Sequence, residues 1–130
     1  MNRWLNFTDE ELTCRCGCGQ MEMDEDFMEK KVAFRLHYGF RMPVVSGYRC
    51  DAHYEKVNPN SRYKPHKGHA TDSEITLIDA GRIINPRPTD PTLKEFGFTG
   101  MGLRKSRNRG YVILHLDDVQ RGHDFIAWGY

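Results

Sequence analysis

Six histidines, at positions 37, 53, 66, 69, 115 and 123, are the residues here that could do chemistry. A lone histidine is more often packed or surface-exposed than a ligand, so the case rests on grouping. His66-Lys67-Gly68-His69-Ala70-Thr71-Asp72 puts two imidazoles and a carboxylate within seven residues, and His115-Leu116-Asp117-Asp118 follows the apolar run Val112-Ile113-Leu114. A histidine at the end of such a run can face a cavity on the floor of a sheet. Two histidines and an Asp would be a catalytic zinc set, with three protein ligands and a position left open. A metal there polarises a carbonyl and acidifies water.

The four cysteines are Cys14, Cys16, Cys18 and Cys50. Cys-x-Cys-x-Cys is not the usual Cys-x-x-Cys zinc spacing, and three ligands on an extended segment would not easily reach one ion. Free thiols, a disulfide to Cys50 and a structural metal all stay open. A reducing cytoplasm favours thiols.

These groups need elements to position them. Thr8 and Glu11 form a capping-box signature at a helix start. Residues 23–38 read as the clearest helix: Asp24 or a neighbour caps it, Phe27, Lys31, Phe34 and Tyr38 recur at three and four, and Gly39 ends it. Residues 43–48 read as a short strand. Residues 51–67 read as a long surface loop, which in a compact domain is usually functional. A second helix is expected over 73–84, broken by three prolines between 85 and 91. The last third reads as strands at 98–103, 111–116 and 125–130, with Gly110 favouring a hairpin. Helices early and strands late predict an α+β fold, a small antiparallel sheet with helices packed on one side.

A chain of 130 residues predicts one domain, and it can bury roughly two-thirds of its unfolded surface without needing staples. A net charge of +1 argues against a nucleic-acid binder. The run Arg104-Lys105-Ser106-Arg107-Asn108-Arg109 reads as a solvated loop or as a contact for anionic polymer. The N-terminus has no apolar leader segment and no stretch approaches a membrane span. The expectation is a monomer made in a cytoplasm, without membrane insertion, that something else releases to any substrate outside.

Four motifs in order carry a resemblance: Ser46-Gly47-Tyr48-Arg49-Cys50, His66 with Gly68-x-Ala70-x-Asp72, His115-Leu116-Asp117, and Trp128-Gly129-Tyr130. Together they resemble the M15 peptidases, the zinc D-Ala-D-Ala carboxypeptidase and phage endolysin family, nearly end to end. Phe7-Thr8, the Cys-x-Cys-Gly-Cys-Gly segment and Phe98-Thr99-Gly100-Met101-Gly102 resemble the phage-type members. The resemblance implies a hedgehog/DD-peptidase-like fold and a Zn2+ site of His66, Asp72 and His115. It implies Arg49 at the substrate or the oxyanion, and Asp117 orienting a ligand histidine or moving a proton. The implied substrate is a peptidoglycan stem peptide or cross-link, reached after release from the cell or as part of a virion.

Two departures stand out. Lys64 occupies a position that is usually Ser, and His66 lies six residues before Asp72 rather than seven, which makes His69 an alternative ligand. Relatives carry a proton-exchanging residue two or three positions before the last histidine, where this chain has Val112 and Ile113. Base duty would then fall to Asp117, His69 or His123.

Overall fold

The computed structural model describes residues 2–60, 64–120 and 125–129. Thr8 accepts a hydrogen bond from Glu11 N while the Glu11 carboxylate takes Thr8 N, so the capping box opens α1 (Asp9–Leu12) as the sequence indicates. The other Glu11 oxygen accepts from Val44 N at 2.7 Å and ties α1 to β1 (Val44–Ser46). Asp24 caps α2 (Glu25–Tyr38), and Gly39 closes it. The expected stripe of α2 is the buried one: Phe27, Lys31 and Phe34 all point inward.

Two segments depart from the reading of the sequence. The stretch 51–67 is not all loop, because α3 spans Asp51–Val57, with Cys50 as N-cap and Tyr54 buried beneath it. The stretch 73–84 is not one helix. β2 runs Ala70–Thr76, and only then does α4 (Leu77–Ile84) begin, capped by the Thr76 hydroxyl. Most residues of β2 are buried on both faces, polar ones included, so it lacks the alternation that reveals a half-exposed strand. After α5 (Leu93–Phe96) come β3 (Gly100–Lys105), β4 (Tyr111–Asp117) and β5 (Ile126–Gly129).

The fold is α+β with a five-stranded sheet in the order β1-β2-β4-β3-β5. The sheet is mixed rather than antiparallel, because β5 runs parallel to β3. The cause is topological. β2 and β3 already flank β4, so the chain leaving β4 must go to an edge. β4 ends where Asp117 lies beside Gly100, and β5 starts at that same end of the sheet, with Ile126 opposite Gly100. A strand that reverses the direction of β4 is necessarily parallel to β3.

Side chains alternate between the two faces of a sheet, and here the faces divide the work. Ile75, Leu114 and Leu116 face the core together with Phe27, Phe34 and Phe98. The rings of Phe27 and Phe34 meet Phe98 edge-on at 6.0 and 5.6 Å, and Lys31 reaches Ser73 on the same face at 3.1 Å. The opposite face carries Asp72 and His115.

Candidate metal centre

The register of the sheet places one residue from each strand in a single row: Ser46 opposite Asp72, Asp72 opposite His115, His115 opposite Gly102, and Gly102 opposite Trp128. Residues scattered over more than eighty positions thus become neighbours on one face. His66 comes to this row from the turn before β2. It lies two residues after Lys64 and six before Asp72, yet it is the imidazole that arrives. The ligand atoms of His66, Asp72 and His115 all lie within 4.8 Å of one another. His66 Nε2 is 3.4 Å and His115 Nδ1 2.7 Å from Asp72 Oδ1. His69 lies elsewhere, with its Nδ1 2.9 Å from Asp118 Oδ1 and 3.9 Å from Asp24 Oδ2.

Each imidazole has its outer nitrogen committed to the protein. His66 Nδ1 meets the Gly47 carbonyl at 2.8 Å. A carbonyl can only accept, so Nδ1 carries a proton, and Nε2 faces Asp72. His66 is also held along its backbone, which donates to the Tyr54 hydroxyl at 2.5 Å and accepts from Arg49 N at 2.6 Å. His115 Nε2 meets the Asp117 carboxylate at 2.7 Å. Asp117 is fully buried, and its second oxygen takes Val119 N at 3.3 Å. Such outer partners fix tautomer and ring orientation at metal sites.

Electrostatics follow the same plan. Burial pushes the Asp72 carboxyl up, but hydrogen bonds and charge from His115 and His66 outweigh it and hold the group well below the usual carboxylate range. Burial pushes His115 down, and Asp117 and Asp72 more than reverse that, so its value is raised. This charge-coupled His/Asp/His cluster suits a divalent cation, which would take the place of the protons the histidines otherwise share with Asp72.

Arg49 donates to Asn58 Oδ1 at 2.9 Å and to Ser46 Oγ at 3.3 Å, with its guanidinium over the Tyr54 ring at 4.9 Å. It therefore borders the row through Ser46. Val112 shares the core face with Leu114, and Ile113 shares the site face with His115, by the alternation of β4. His123 lies outside the described residues. Arg104 stands out in the sequence only as part of its basic run. It sits on β3 two residues after Gly102, hence on the site face, and its Nη2 is 3.9 Å from Asp72 Oδ2 with the side chain 48% exposed. The signal that could have found it is this two-residue offset from the Gly-rich strand. Trp128 lies over the row, its ring 5.3 Å from that of His115.

The cysteines behave unlike the expectation from spacing. The segment is not extended: Gly17 and Gly19 both hold positive φ, +88° and +78°, and the chain curls. All four thiols come to one place, with sulfur atoms within 4.8 Å of one another. Both this cluster and the His/Asp group could bind a metal. No protein-family model matches this chain, and no curated protein or solved structure does either.

Proposed function

We propose that this chain is a zinc peptidase of M15 type on a hedgehog/DD-peptidase-like fold, hydrolysing amide bonds in peptidoglycan stem peptides or cross-links as phage-type endolysins do. The supporting observation is the convergence of His66, Asp72 and His115 with both outer imidazole nitrogens already taken by Gly47 and Asp117. Zinc held by these three residues would supply a Lewis acid for the amide carbonyl and lower the pKa of water.

The chain's own groups do the rest. Gly47 and Asp117 fix the two rings so that His66 Nε2 and His115 Nδ1 face Asp72, which stays ionised. Arg104 above Asp72 and Arg49 beside Ser46 bring two permanent charges to the row. A guanidinium fork suits a carboxylate of the stem peptide or the oxyanion that develops at the attacked carbonyl. The Trp128 indole covers His115 and keeps water from that side of the ring.

The test is zinc content together with turbidity loss on purified cell walls, with the mass of released muropeptides separating carboxypeptidase from endopeptidase. The expected result is lysis by the zinc-loaded chain and loss of both this site's metal and activity in His115→Ala. Intact walls and muropeptides, beside a working control lysin, would sink the proposal. One observation favours a second reading, a non-catalytic wall-binding or virion module: neither Val112 nor Ile113 can exchange a proton. That reading expects His115→Ala to leave function intact.

A further inference from the structure

The four cysteines carry an inference independent of the peptidase reading. Cys14 Sγ lies 3.5 Å from Cys16 Sγ, which lies 3.5 Å from Cys50 Sγ, and Cys18 completes a set whose sulfurs are all within 4.8 Å of one another. These separations are well beyond an S–S bond of about 2.05 Å. They bracket the spacing of a tetrahedral tetrathiolate, where zinc–sulfur bonds of about 2.3 Å put the sulfurs roughly 3.8 Å apart.

A second observation concerns the backbone. Three amide N–H groups aim at three of the sulfurs: Cys50 N at Cys14 Sγ at 3.4 Å, His53 N at Cys50 Sγ at 3.4 Å, and Gln20 N at Cys18 Sγ at 3.5 Å. Such donors offset the negative charge that thiolates concentrate. The His53 bond is also the N-cap contact of α3, whereas those to Cys14 and Cys18 cap no helix, and neutral thiols are weak acceptors. Outside the cluster, the Arg15 side chain donates to the carbonyls of Glu11, Val44 and Val45 at 3.0, 3.2 and 3.1 Å, which pins the cysteine loop against α1 and β1. The sulfurs are thus held by a frame rather than by one another.

We infer that Cys14, Cys16, Cys18 and Cys50 form a second metal centre: a closed tetrathiolate site for zinc or a similar thiophilic divalent ion, structural rather than catalytic. Four protein ligands leave no open position for substrate. The ion would tie the N-terminal loop to Cys50, the residue after Arg49 and the cap of α3.

The experiment uses the full chain with His66→Ala and His115→Ala together, which disables the other site and leaves the thiols alone. The protein is purified under reducing conditions, its zinc is counted, and the zinc is exchanged for Co2+. One equivalent of zinc per chain is expected, with strong thiolate-to-cobalt charge-transfer absorption in the near ultraviolet. Cys18→Ser, on an exposed part of the loop, should lower that absorption by about a quarter, one thiolate of four. Cobalt bound without charge-transfer absorption would overturn the assignment, because it would place the ion on oxygen and nitrogen ligands such as Asp24, His69 and Asp118. A metal-free chain, or an intact mass short of the hydrogens lost to disulfides, would overturn it as well. The cobalt spectrum reads the site with all four cysteines in place, so it decides the matter even where Cys18→Ser fails to fold. Because wall lysis is not measured, failure here is separate from failure of the peptidase proposal.

Discussion

Asp117 is buried and accepts from His115 Nε2, so it acts through the imidazole rather than on a substrate. Losing such a partner typically costs about 10–100-fold in metal affinity. Asp117→Asn keeps the shape but removes the charge, and a competition titration with a zinc chelator should show a weakening of that order. Lys31 is a buried cation close to this region, hydrogen-bonded to Ser73, the neighbour of Asp72. Burial drives its value down from 10.5 to about 7, against smaller upward contributions from Asp72 and Glu11. Between those values the unfolded chain holds a proton that the folded chain releases, so stability from this residue rises with pH across the window. The full penalty applies at and below pH 7. Lys31→Met should therefore raise Tm most near neutrality, corresponding to about 1–4 kcal/mol, and less in the upper part of the window. A melting series of both proteins against pH checks the sign.

Among elements, the β3–β5 pair decides whether the row stays assembled. A Cβ built on Gly102 would sit 2.4 Å from Trp128 Nε1, closer than real atoms approach. The absent side chain is what lets the indole cross β3 to reach His115. Gly102→Ala should displace Trp128 and cost about 1–3 kcal/mol, as overpacking does, seen as a lower midpoint in urea. At this scale the sequence is unevenly legible. The α1 box, the span of α2 and the β3–β4 hairpin are readable, because caps, a helical stripe and turn glycines act locally. β2 is not, because burial on both faces erases its alternation, and α3 is not, because a single buried Tyr54 is too faint a stripe. The parallel run of β5 depends on β4 being flanked on both sides, which no local pattern encodes.

For the whole molecule, the sheet register sets Asp72 beside His115 and the turn before β2 adds His66, so the three residues singled out in the sequence lie together. Arg104 is obscured by its basic neighbours, and the cysteine cluster by a spacing that suits one ion only once the backbone curls. Two metal centres on a chain of this size would make stability depend on metal supply, since an ion that binds the folded state alone stabilises it by roughly 2.7 kcal/mol at a hundredfold excess over Kd. A strong chelator should lower Tm by several degrees, and added zinc should restore it.

The tilted contact of Trp128 with His115 also gives the protein an optical reporter of its own. The sequence has two tryptophans, and the other, Trp4, is buried in the core cluster. Trp4→Phe would leave a single indole, and that one lies against the His115 imidazole. A protonated imidazole quenches indole fluorescence more strongly than a neutral one, and Asp117 and Asp72 hold His115 protonated above its usual range. In the metal-free variant, emission should brighten with rising pH, with a midpoint above 6.5, the ordinary histidine value. At fixed pH near neutrality, adding zinc should produce the same brightening by displacing the proton. Ligation at the row could then be followed in a cuvette, without any substrate.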